Sequence, residues 1–201
     1  MVYRRTPAVQ ARLDAQRSAI LDAAVALLAE HGYAGCAMTA VAARAKVATG
    51  TLYRHFPGKA ELVAEVFDTV VGREVEAVRD AAAVPSDAGQ QVVAVVRTFA
   101  TRALKQPRLA YALLAEPVDA PVERRRLVFR RAFRDVIADR VRGGVREGTV
   151  PPQDADTTAA AVVGAAAEVL IGPLTRGEAD AVDELSAFTL RALGARHAVD
   201  P

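Results

Sequence analysis

The chain has one cysteine, Cys36, among 201 residues. A single thiol excludes an intramolecular disulfide and any metal cluster built on cysteine ligands. Histidine is nearly as scarce. His31, His55 and His197 are scattered along the chain, and no Gly-rich phosphate loop accompanies them. No catalytic or metal-ligating constellation follows, so neither an enzyme nor a cofactor is expected. Apolar residues make up 52% of the chain, yet no run of about 18 uncharged apolar residues has the flanks of a membrane span. The nearest run, 159–174, contains Glu168 and is mostly Ala and Gly, which reads as a buried helix. The N-terminus carries Arg4, Arg5, Arg12 and Asp14 with no apolar signal-peptide core behind them. These absences point to an intracellular, cytoplasmic protein without a membrane partner.

Period-two alternation is missing as well, and so are the Asn-Gly and Asp-Gly hairpin signals. Helical spacing recurs instead. Leu13, Ile20, Ala24, Leu27, Leu28 and His31 share one face of a first helix, with Gly32 as its stop. The spacing predicts helices over 38–45 and 49–55, joined by Lys46-Val47-Ala48. A longer helix enters at Pro57 and runs through Leu62, Val66, Val70 and Val78. Pro85-Ser86-Asp87 opens the next, and Pro107 begins a short one. An arginine-rich helix spans Val122 to about Arg146, an Ala/Gly-rich helix lies near 154–175, and a last one covers roughly 179–194. This is an all-α protein of about nine helices.

Charge is uneven along this frame. Residues 1–60 hold eight basic side chains against three acidic ones, while the net charge of the whole chain is +2. The first third therefore either meets a polyanion or presents an unevenly charged solvated surface. The helix over 49–55 favours the former. At 100° per residue Leu52 and Phe56 point inward, Gly50 and Arg54 outward, and Thr51, Tyr53 and His55 flank them. Gly50 permits close approach to a major groove, and Arg54 can donate a fork of hydrogen bonds to a guanine edge. Thr49 is expected as the helix N-cap. Lys59, in the first turn of the following helix, suits a phosphate.

Gly32-Tyr33, Val41-Ala42, Ala45, Val47, the string Gly50-Thr51-Leu52-Tyr53-Arg54-His55-Phe56-Pro57 and Lys59 through Leu62 resemble, in order and spacing, the DNA-binding domain of the TetR family of bacterial transcriptional regulators. The resemblance covers about residues 15 to 67. It implies a homodimer whose N-terminal domains, residues 1–58, bind a palindromic double-stranded operator, and whose residues 59–201 form an effector-binding and dimerisation domain. It further implies phosphate contacts at Tyr53, His55 and Lys59, with Thr39, Thr49, Gly50 and Arg54 near bases or backbone. Two positions depart from the family pattern. Cys36 and Ala37 stand where a capping Ser or Thr is usual, a loss of about 1 kcal/mol of helix stability. Lys46 stands where the turn usually has Gly, which implies mild strain if φ is positive there but adds a charge that could meet a phosphate. The basic arm Tyr3-Arg4-Arg5, with Arg12, either reaches a neighbouring groove or attracts phosphate weakly without fixed structure.

The second part is read from its helix faces. Phe129, Phe133, Val136 and Ile137 fall within about 60° of Val122, and so does Arg126. A pocket lined by Phe99, Tyr111, Phe129 and Phe133, with Arg126 as polar anchor, suits a mostly apolar effector with an acidic or carbonyl group. The alternatives for Arg126 are an ion pair with Glu116 or Glu168, or a snorkelling stem. On the Ala/Gly-rich helix, Ala161, Gly164, Ala165, Glu168 and Gly172 share a small-residue face, with Val162, Val163, Val169 and Leu170 opposite. That face, with Val182, Leu185, Thr189 and Leu193 of the last helix, is expected at a subunit interface or in packing within one subunit. Glu168 there needs a partner, either an arginine across the dimer or the effector. The leading expectation is an effector-responsive repressor. The competing one is a helical small-molecule-binding protein whose helix-turn-helix is vestigial.

Overall fold

The computed structural model describes residues 6–176 and 181–194. The arm Tyr3-Arg4-Arg5 and His197 lie outside the described residues. Among the described residues there are nine helices and no strand: α1 (Pro7–Gly35), α2 (Met38–Arg44), α3 (Thr49–His55), α4 (Lys59–Ala83), α5 (Ala88–Lys105), α6 (Pro107–Leu114), α7 (Ala120–Glu147), α8 (Ala155–Arg176) and α9 (Ala181–Ala192). Side-chain chemistry sets several of these ends. Thr6 accepts a hydrogen bond from the Val9 N–H, with Pro7 opening α1 behind it. Asp87 caps α5 through the Gln90 N–H at 2.9 Å. Gly32 breaks α1 at φ 67°, where any β-carbon would be strained.

α2 and α3 have seven residues each, too few to hold a helix in water unaided. Neither has a side-chain cap: Ala37 and Ala48 occupy the two cap positions. This corrects the expectation that Thr49 caps α3. The Ala48 carbonyl already accepts the Thr51 and Leu52 N–H groups, so Thr49 is the first helical residue and its hydroxyl lies past the cap. Burial stabilises both helices instead, through Met38, Val41 and Ala42 on α2 and Leu52 on α3. Between them Lys46 has φ 54°, the one positive φ outside glycine among the described residues. Lys46→Gly is therefore expected to raise stability by about 1 kcal/mol in urea unfolding. A fall in stability would show that the lysine stem contributes more than its backbone strain costs.

Cys36, between α1 and α2, is fully buried, with Sγ 3.9 Å from the Ala24 carbonyl. Burial pushes its thiol up to about 11, against the smaller opposing pull of Lys59.

One continuous apolar cluster runs from Ile20 to Leu193. α4 joins the two ends of the molecule, touching α1 on one side and α5 and α7 on the other. α8 is long and apolar enough to cross a membrane by length and composition. Ala159, Val162, Ala166 and Leu170 on one of its faces are buried, and the helix packs against α5, α6, α7 and α9. Its other face stays open: Ala161, Gly164 and Glu168 are exposed, Ala165 and Gly172 half-buried. Val169, expected on the opposite face, is 44% exposed, because it stands about 80° from Ala161 at 100° per residue.

For the inner residues of the last helix, α9, the structure favours packing within one subunit over the subunit interface. Leu185 and Thr189 on α9, and Leu193 just past its end, are buried within the subunit, and α9 packs against α5 and α8. The Thr189 hydroxyl donates to the Leu185 carbonyl at 2.7 Å. They are core residues, and only Val182, half-buried, remains near the surface. Phe188, at 40% exposure, is the large apolar side chain that α9 leaves outside.

Candidate functional site

The α2–turn–α3 unit presents the face drawn from helical spacing. Leu52 and Phe56 are buried, and the Arg17 guanidinium covers the Phe56 ring at 4.6 Å while pairing with Glu65. Thr39, Lys46, Thr49, Gly50, Tyr53 and Arg54 are exposed, and Thr51 is half-buried. A β-carbon on Gly50 would meet nothing within 4 Å. Arg54 reaches back to the Thr51 hydroxyl at 3.5 Å, a weak contact that leaves most of its donors free. His55 is half-buried, and its Nε2 is buried without a hydrogen-bond partner.

Lys59 is less free than its sequence position implies. Its ammonium lies 4.0 Å from the centre of the Tyr33 ring, a cation–π arrangement. The Tyr33 hydroxyl in turn donates to the Asp119 carboxylate. Burial, then this bond to an anion, raises the phenol well above its ordinary range, so it stays protonated. Glu116 completes the junction. Its carboxylate accepts the Tyr33 N–H at 2.8 Å and the Ala34 N–H at 3.4 Å. A β-carbon at Gly32 would come within 2.7 Å of that carboxylate. Gly32 thus serves twice, for its positive φ and for the close approach of Glu116. Arg108, from α6, adds a 2.6 Å bond to the Glu30 carbonyl.

A cavity of about 130 Å³ lies among α4, α5, α6, α7 and α8. Phe99, Arg126, Phe129 and Phe133 line it as expected, with Phe67 added; Phe67 packs on Phe129 and Phe99 on Phe133. Tyr111 and Glu168 are not on its wall. Tyr111 is half-buried on α6, and Glu168 sits on the exposed face of α8, away from the apolar side that reaches the cavity.

Arg126 is buried, and its partners differ from either acid expected. Nη1 pairs with Glu123 at 2.6 Å, three residues back on α7. Nε donates to the Leu113 carbonyl at 2.9 Å and Nη2 to the Glu116 carbonyl at 2.8 Å. These oxygens end α6 or follow it, where carbonyls have no intrahelical donor. Arg126 therefore closes α6, with Glu116 supplying a backbone acceptor and only a lesser attraction of charge, and Glu168 no hydrogen bond or ion pair. Burial lowers its pKa from the ordinary guanidinium value, and Glu123 opposes this. The sequence reading missed Glu74, Arg102, Gln106 and Arg130 on the cavity wall. Arg102 pairs with Glu74 across 28 positions, a separation with no local signature. Glu123 was within reach of inference, since a spacing of three puts two side chains on one helix face.

Comparison with known proteins bears on the first part of the chain. Residues 20–66 match the family profile of bacterial regulatory proteins, tetR family. The HTH-type transcriptional repressor KstR of Mycolicibacterium smegmatis is 48% identical over 61 residues, which are 30% of this chain and 28% of KstR. The HTH-type transcriptional activator FasR of the same organism is 35% identical over 86 residues, 43% of this chain and 39% of FasR. The matched segments thus span well under half of these relatives. Over the whole fold, the transcriptional regulator FadR from Bacillus subtilis, solved in complex with stearoyl-CoA, superposes with a TM-score of 0.77 at 18% identity, covering 90% of this chain and 99% of that one. Residues 20–66, whose buried and exposed faces have just been described, are thus similar to the DNA-binding segment of bacterial regulatory proteins of the tetR family, and the whole chain shares the fold of the FadR structure.

Proposed function

We propose that the protein is a DNA-binding transcriptional regulator, a cytoplasmic homodimer that represses from a palindromic operator and is released by a small apolar effector. The observation that carries this reading is the face of α3: Gly50, Tyr53 and Arg54 exposed above a keel of buried Leu52 and Phe56. Thr49, Gly50 and Arg54 are assigned to bases or nearby backbone, with Thr51 beside them. Thr39 is assigned with them to bases or backbone, and Lys46, Tyr53, His55 and Lys59 to phosphates. For dimerisation the reading takes the open face of α8, with Ala161, Gly164, Ala165 and Gly172, and extends it to Val169 and Phe188. Small residues there let two helices approach closely, and a twofold axis would make the surface self-complementary. The effector is assigned to the aromatic cavity.

The test is selection of bound DNA from a random pool. A palindromic consensus with half-sites about 34 to 36 Å apart, or a multiple of that, is expected, and binding should weaken steeply with salt. A pool that never enriches would leave a small-molecule-binding protein with an idle helix-turn-helix.

A further inference from the structure

The charged groups on the cavity wall are unequal in sign. Arg102, Arg126 and Arg130 line it against a single carboxylate, Glu74. Glu74 is taken by Arg102, and Arg126 is held by Glu123 and by backbone carbonyls. Arg130 is left with no hydrogen bond or ion pair among the described residues, on an exposed turn of α7. It stands near enough to Arg126 for the two guanidinium charges to repel. The remaining wall is nearly all aliphatic and aromatic. Arg130 is solvated at the exposed edge of the cavity, and the apolar walls beside it focus its uncompensated charge on whatever enters. A lipophilic cation would be repelled, and a neutral apolar molecule would leave the guanidinium to water and gain nothing from its charge.

We propose that the cavity binds an anionic amphiphile, with its apolar body among the phenylalanines and its carboxylate or phosphate head on Arg130, the residue that recognises the charge. This rests on reading the cavity as an effector site. It narrows the earlier sequence expectation, because Arg126, the anchor expected there, already has its donors engaged in closing α6. Arg130 makes no hydrogen bond or ion pair among the described residues, so its full hydrogen-bonding fork is available to the ligand.

Calorimetric titration of the purified full chain tests this without DNA, using octanoate, octyl phosphate, octanol and octyltrimethylammonium. The two anions are expected to bind at least ~10-fold more tightly than octanol, and the cation not to bind. Whichever anion binds better identifies a carboxylate or a phosphate head. Arg130→Gln is expected to bring the anions to within ~3-fold of octanol, and Arg130→Lys to keep an intermediate preference, both with an unchanged melting temperature. Equal binding of octanol and octanoate, binding of the cation, no binding of any probe, or an anion preference that survives Arg130→Gln would each overturn the proposal. None of these outcomes bears on operator binding, whose failure would instead appear in the DNA selection.

Discussion

Arg126→Ala is expected to lower the unfolding free energy by about 3 kcal/mol, read as a fall in the urea midpoint. The argument is one of orphaned acceptors. The guanidinium has 8% side-chain exposure and donates to the Leu113 and Glu116 carbonyls as well as to Glu123. Truncation leaves the carbonyls at the end of α6 with neither donor nor ready access to water, and opens a void on the cavity wall. The loss should exceed that from any exposed ion pair of this protein, such as Arg79 with Glu76, where about 0.5 kcal/mol is the usual scale. Arg126→Lys should recover only part of it, because one ammonium cannot span a carboxylate and two diverging carbonyls. A change smaller than about 0.5 kcal/mol in Arg126→Ala would mean that water reaches the α6 terminus freely.

Gly50→Ala should separate folding from DNA binding. In the free protein the new β-carbon meets nothing within 4 Å, and alanine is the better helix former, so stability should rise by about 0.5 kcal/mol. Affinity for the selected operator should nonetheless fall by at least ~10-fold, since the added methyl holds α3 away from the groove floor and lengthens every base contact. Unfolding and gel-shift titrations on the same preparation give both numbers. Undiminished affinity would mean that α3 does not approach DNA through Gly50.

The helix-turn-helix was legible because two independent signals coincide there. The period of Leu52 and Phe56 gives the inward face, and the residue string between them is distinctive. The cap of α3 was misplaced by one residue because capping depends on where the backbone turns helical, here after Ala48, and both neighbours allow that turn. Arg126 was recognised as a buried arginine needing partners. Most of those partners are backbone carbonyls of α6, and a carbonyl leaves no trace in side-chain identity. α9 illustrates a different limit. Its amphipathic period says that Leu185, Thr189 and Leu193 are covered, but not whether by the same chain or by a second copy. Contact with α5 and α8 answers that for these three.

Cys36 has a consequence for labelling kinetics. Its sulfur is sealed between α1 and α2 and, with its thiol at about 11, is protonated at neutral pH. Only a thiolate reacts with alkylating agents, so the folded joint is inert and modification proceeds through its opening. While reclosing outpaces alkylation, the reaction rate divided by that of a free thiol gives the fraction of time the joint spends apart. Since the chain holds no other sulfhydryl, it carries a built-in clock for the breathing of the segment that bears the recognition helix.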